Sequence, residues 1–229
     1  MIVIHREVVQ GSEEWHQMRR GLLTASQMNL IITPTLKIAD NDKTRTHLYE
    51  LLAQRITGYV EPQYISDAML RGQSDEIVAV ELYAKTYAPI ERVGFITNDE
   101  WGFTIGYSPD ALVGEAGLVE VKSRAQKYQI RTIVDYVVNE QIDPEFTIQC
   151  QTGLLVTNRD WIDVASYCGG LPMATVRVFR DEKIQEAIVA AAAAFEEKLA
   201  HKLETYTSLL ESKARLIPTE RQIIEEMHI

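Results

Sequence analysis

The chain has 229 residues, 46% of them hydrophobic and 24% charged, which is the composition of a globular protein able to bury a core without covalent staples. No apolar run approaches the ~20 residues of a membrane-spanning helix, and Arg6 and Glu7 come too early for a secretory signal, so the expectation is a cytoplasmic protein with no membrane partner. Cys150 and Cys168 form no CxxC pair, and no HExxH or GxxxxGK[ST] occurs, which argues against zinc, iron–sulfur or P-loop chemistry; the net charge of −10 argues against a uniformly basic nucleic-acid binder.

Along the chain, Ser12 caps a short helix that Gly21 ends. Thr24 and Gln27 form a capping box leading into a helix with Met28, Ile31 and Ile32. A further helix carries Leu48, Leu51, Leu52 and Ile56 and stops at Gly58. Another runs from about Ser74 to Tyr87, with Ile77, Val80, Tyr83, Ala84 and Tyr87 on one face. The period then changes to two. Val93 and Phe95, a turn at Asn98-Asp99, and Trp101, Phe103, Ile105 and Tyr107 predict a hairpin. Leu118–Lys122 reads as a buried strand, 146–156 as a helix, and 161–167 and 175–179 as strands. A long amphipathic helix follows, with Ile184, Ile188, Ala191, Phe195, Leu199 and Leu203 on one side. The expectation is one α/β domain over 1–229, its core about 11–206 and a tail at 207–229.

Charge is unevenly spread. Trp15–Ala39 contains Arg19, Arg20 and Lys37 and no acid, and Val121–Val134 contains Lys122, Arg124, Lys127 and Arg131 and no acid. Two basic segments in an acidic chain suit either a phosphate-binding surface or an ordinary solvated face.

Ser108-Pro109-Asp110 ends the hairpin, and Glu120-Val121-Lys122 lies in the next strand, where Glu120 and Lys122 share a face. A carboxylate beside an ammonium in a buried strand needs partners or a metal. One reading is a Mg²⁺ site with Asp110, Glu120 and the Val121 carbonyl as hard oxygen ligands and Lys122 beside an activated water; the other is an ion pair in a sheet. Glu76, in phase with Val80 and Tyr83, is either a third active-site acid or a half-exposed helix residue. Gln149 and Gln151 read by spacing as bland polar positions. Arg19, Thr24 and Ser26 fit either a phosphate pocket at a helix start or a capped helix beside a surface arginine.

The blocks Gly11–Ser26, Arg71–Glu76, Ser108–Asp110, Glu120–Lys122 and Gln149–Gln151, in this order, resemble the bacteriophage lambda exonuclease family of YqaJ-type viral recombinases, PD-(D/E)xK nucleases. The resemblance implies a restriction-endonuclease-like α/β core, a central mixed β-sheet flanked by helices. It implies a Mg²⁺-dependent exonuclease, with Mn²⁺ as a substitute, acting 5′ to 3′ on duplex DNA ends, releasing 5′-mononucleotides and leaving a 3′ overhang for phage-type recombination. It further implies a homotrimeric ring and a single-strand annealing protein as partner. Asp110, Glu120 and the Val121 carbonyl would hold the metal, Lys122, Glu76 and Gln149 would complete the catalytic set, and Arg19, Ser26, Thr24 and Ser108 would contact the 5′-phosphate. The alternatives are an endonuclease on the same core and a non-catalytic DNA-binding module.

Overall fold

The computed structural model describes residues 1–62, 66–212 and 214–221. Two four-stranded sheets, each mixed, organise the chain. The first contains β1 (Ile2–His5), β2 (Leu23–Thr24), β3 (Phe95–Asn98) and β4 (Ile105–Tyr107) in the order β1-β3-β4-β2. The second contains β5 (Ala111–Val113), β6 (Gly117–Ser123), β7 (Trp161–Tyr167) and β8 (Ala174–Phe179) in chain order. The sheet is thus divided in two, and the division falls at Ser108-Pro109-Asp110, between β4 and β5, where Pro109 has no N–H to continue a ladder.

The helices are α1 (Glu13–Arg19), α2 (Asp42–Thr57), α3 (Asp67–Thr86), α4 (Gln126–Arg131), α5 (Thr147–Thr157) and α6 (Glu182–Leu210). Ser12 caps α1 through its hydroxyl, and Gly58, at φ 66°, closes α2 in the left-handed conformation that glycine adopts freely. The parallel pair β6–β7 is joined by a crossover containing α4 and α5. Its period-2 pattern splits the core. Leu118 faces the larger cluster with α2, α5 and α6, whereas Val119 and Val121 pack with Ala79, Val80 and Tyr83 of α3.

Four expectations are corrected. The Thr24–Gln27 capping box does not form: Ala25–Leu30 is a 3₁₀ turn, and the Thr24 hydroxyl donates to the Gln27 side chain at 2.9 Å rather than receiving a backbone N–H. Helix α3 starts earlier, capped by Ser66, and its buried face is Ala79, Val80 and Tyr83, leaving Ile77 and Tyr87 exposed. Strand β4 covers three residues, so Trp101 and Phe103 lie in the connection, where Gly102 sits at φ 84°. Helix α6 continues to Leu210; of the expected tail, 213 and 222–229 lie outside the described residues, and 214–221 form no regular element. No described helix is long and apolar enough to cross a membrane.

His47 of α2 is 1% exposed and stacks on Phe195 of α6, ring centroids 5.6 Å apart. Burial holds its pKa below the ordinary 6.5, although Glu50, 3.5 Å from Nδ1, pulls the other way. Below pH 6.5 the unfolded chain therefore binds a proton that the folded ring resists, so this part of the stability is present above that pH and falls as the pH drops. The urea midpoint should fall more between pH 7.5 and 5.5 for the wild type than for His47→Leu. Equal falls would contradict the assignment.

Candidate active site

The corner between the sheets gathers the polar residues. The Asp110 N–H donates to the Val119 carbonyl at 3.2 Å, the last contact of the β5–β6 side before that edge of β6 opens. The Asp110 carboxylate then accepts the N–H of Val121. In an extended strand a residue's C=O points to the same edge as its N–H, so the Val121 carbonyl faces the same space as Asp110.

On the α5 side of the strand, Glu120 and Lys122 project together as their spacing requires. Lys122 Nζ lies 2.9 Å from Glu120 Oε1 and donates to Gln149 Oε1 at 2.8 Å, while Gln149 Nε2 donates to Glu120 Oε1 at 2.6 Å. Gln149 is therefore a full member of the cluster and not a bland position; Gln151, by contrast, turns away to the Phe179 carbonyl and the Asp181 N–H. The second Glu120 oxygen accepts from the Tyr107 hydroxyl at 2.6 Å. Period-2 reading took Tyr107 only as an apolar strand residue. The available signal was a hydroxyl-bearing aromatic directly before Ser-Pro-Asp.

The electrostatics are strained in one direction. Burial first, then the charges of Glu120 and Glu76, push the Asp110 carboxyl well above the usual carboxylate range. Burial also raises Glu76, against Arg92 and with Glu120. Burial opposes the charge of Lys122, but Glu120 beside it outweighs that and holds the ammonium above the ordinary lysine value. Surplus negative charge on hard oxygens at one corner is the donor chemistry of a divalent cation such as Mg²⁺. Asp110, Glu120 and the Val121 carbonyl supply suitable donors. Their oxygens are held by Val121 N–H, Tyr107, Lys122 and Gln149, and among the described residues no three acidic, histidine or cysteine side chains already surround one point.

A second group adjoins this corner. Arg19 Nη1 donates to Ser108 Oγ at 3.2 Å, and Trp15 Nε1 donates to the same oxygen at 2.9 Å. The Arg19 guanidinium lies 4.2 Å from the Trp15 ring centroid. Burial lowers its pKa to about 10, and among the described residues no carboxylate pairs with it. Ser26 is exposed and its hydroxyl stands 3.4 Å from that of Thr24, which is buried. Sequence reasoning missed Trp15, whose indole and ring hold both Ser108 and Arg19.

The second basic segment is largely neutralised. Arg124 pairs with Asp143 at 2.9 Å and with Glu145, Arg131 pairs with Asp143, and Lys122 with Glu120. Only Lys127 of the four has no carboxylate partner among the described residues. An acid-free stretch of sequence is therefore not an acid-free surface.

Residues 14–160 match the YqaJ-like viral recombinase domain. An alkaline exonuclease from Laribacter hongkongensis is similar at 30% identity, over 87% of this chain and 98% of that chain, with a TM-score of 0.76. Its complex with dAMP is similar at 30% identity over the same shares, with a TM-score of 0.77. A phage-related exonuclease from Haemophilus somnus 129PT shares the fold, at 15% identity, 80% and 96% coverage and a TM-score of 0.59. None of the curated proteins matches. The architecture is the restriction-endonuclease-like α/β fold.

Proposed function

The chain belongs to the YqaJ-like viral recombinase family, and from that premise we propose that it is a Mg²⁺-dependent exonuclease that removes 5′-mononucleotides from duplex DNA ends and leaves a 3′ overhang. The observation that carries the reading is the hydrogen-bonded set of Glu120 and Lys122 on β6 and Gln149 on α5, next to Asp110, which accepts the N–H of the intervening Val121. That the similar alkaline exonuclease was captured with dAMP, a nucleoside monophosphate, fits mononucleotide release.

Asp110, Glu120 and the Val121 carbonyl would hold Mg²⁺, which when bound would supply Lewis-acid polarisation of the phosphate and a water of lowered pKa. The chain's own groups do the rest. Lys122 stays an ammonium because Glu120 sustains its charge, so it stabilises negative charge at the phosphate rather than acting as a base. Gln149, bonded to both Lys122 and Glu120, fixes their relative positions. Glu76, whose carboxyl is raised by burial and by the charge of Glu120, would be the accessory acid that completes the metal site or orients the attacking water. Tyr107 keeps Glu120 oriented from below. Arg19 and Ser108, with Thr24 on the strand paired to β4 and the Ser26 hydroxyl 3.4 Å from it, would receive the 5′-phosphate.

With no P-loop to drive movement, directionality comes from hydrolysis, and a homotrimeric ring would supply processivity by enclosing the DNA. The overhang would then pass to a single-strand annealing protein. Linear and closed circular duplex, incubated with Mg²⁺ and with EDTA, separate the competing classes. The expected result is digestion of linear DNA only, and only with Mg²⁺. Cutting of the closed circle would assign an endonuclease, and binding without digestion a DNA-binding module.

A further inference from the structure

Beside the reaction corner, cations and aromatic rings alternate. Lys122 Nζ lies 4.8 Å and Arg124 Cζ 5.0 Å from the centroid of Phe146. Arg124 also lies 5.2 Å from the centroid of Tyr128, and Lys127 and Arg131 approach that ring to 4.8 and 5.2 Å. The series thus leads from Lys122 to Tyr128 through three contacts of about 5 Å, a reach of a few nucleotides at ~3.4 Å each. Tyr128 remains 40% exposed, whereas Arg124, on its inner side, has a side chain only 9% exposed.

The ring is held in place although it contributes nothing to the core. Its neighbour Gln129 is fully buried, donates to the carbonyls of Ser166 at 3.0 Å and Pro172 at 2.7 Å, and accepts from the Ser166 hydroxyl at 2.6 Å. Asp143 ties Arg124 and Arg131 together from below. Helix α4 is therefore anchored by a polar residue while an aromatic faces water, and ordering of the platform is complete before any ligand arrives. A pre-ordered aromatic ring flanked by a lysine with no carboxylate partner among the described residues is the chemistry that binds single-stranded nucleic acid: the ring stacks on a base of any kind, and the cation meets the adjoining phosphate.

We propose that Tyr128 is a stacking platform for an unpaired base of the DNA strand beside the reaction corner, with Lys127 on the neighbouring phosphate. The assignment of the strand rests on the exonuclease reading; the stacking itself does not. The test measures fluorescence anisotropy of the full-length protein with a labelled twelve-residue oligothymidylate and with an abasic oligomer of the same length, in EDTA so that neither is cut. Tyr128→Ala should weaken oligothymidylate binding by about 5- to 150-fold, Tyr128→Phe should retain it, and the abasic oligomer should bind wild type and Tyr128→Ala alike. Equal binding of oligothymidylate by wild type and Tyr128→Ala would overturn the proposal, as would equal losses on both oligomers, which would assign Tyr128 to holding the cations. Digestion of duplex by wild type with Mg²⁺ is scored separately. A wild type that digests nothing yet binds oligothymidylate through Tyr128 overturns the nuclease reading and leaves the platform standing.

Discussion

Lys122→Ala and Glu120→Ala should each reduce DNA hydrolysis by at least ~10³-fold, because each removes transition-state stabilisation of several kcal/mol. The two side chains are 15% and 6% exposed and share Gln149, so each deletion leaves the others with an unmatched group. Some loss of stability will accompany the loss of rate. Lys122→Met helps to separate the two effects, since it keeps an unbranched apolar side chain in place of the lysine stem while removing the ammonium that contacts Glu120, Gln149 and the Phe146 ring. A Lys122→Met protein that melts within a few degrees of wild type and is inactive would place the deficit in the chemistry. A folded variant of either residue retaining more than a tenth of wild-type turnover would remove Glu120 and Lys122 from the reaction.

Arg19→Ala should abolish a preference for 5′-phosphorylated ends worth about 10- to 150-fold, the size of one charge-assisted hydrogen bond of roughly 1.5–3 kcal/mol. A guanidinium that is largely withdrawn from water, with its pKa lowered to about 10, and that among the described residues meets a serine hydroxyl and aromatic faces but no carboxylate, is a cation without its anion. A terminal phosphate carries more charge than an internal diester, and it is the anion a DNA end brings. Arg19 shares Ser108 with Trp15, and Ser108 stands two residues before Asp110 in the same sheet-to-sheet corner. On the proposed reading, one segment would therefore set both the binding of the end and the placement of the scissile bond. Initial rates at limiting DNA should therefore be much higher on 5′-phosphate than on 5′-hydroxyl duplex, with Arg19→Ala slowing only the former. Equal rates on the two duplexes would show that Arg19 is a structural side chain.

What the sequence revealed of this corner follows from which forces are local. Glu120 and Lys122 could be placed on one face because strand period is a property of the backbone, and the strand at 161–167 has the same bounds in the fold as in the sequence reading. Glu76 came from phase with Val80 and Tyr83; it is half-buried, and its carboxyl is raised by burial and by the charge of Glu120. Strands β1 and β5 escaped notice because four and three residues carry too little pattern; β1 exists by pairing with β3 across a long stretch of chain, and β5 by a tight hairpin with β6 whose arms are too short to show a period. Helix α4 escaped for a different reason: its sequence Gln126–Arg131 has no apolar stripe, and a buried amide, Gln129, anchors it to carbonyls 37 and 43 residues away. The neutralisation of Arg124 and Arg131 depends likewise on Asp143 and Glu145, which arrive by folding of the crossover. Gln149 has the same history. Its role comes from α5 docking beside β6, and spacing within α5 carries no trace of it.

Duplex DNA labelled on one strand at the 5′ end or at the 3′ end, incubated with the protein and Mg²⁺, tests the central claim most directly. The 5′ label should leave at once as a mononucleotide, while the 3′ label stays in a long product that becomes single-stranded. Release of the 3′ label first, or of the 5′ label in long fragments, would contradict it.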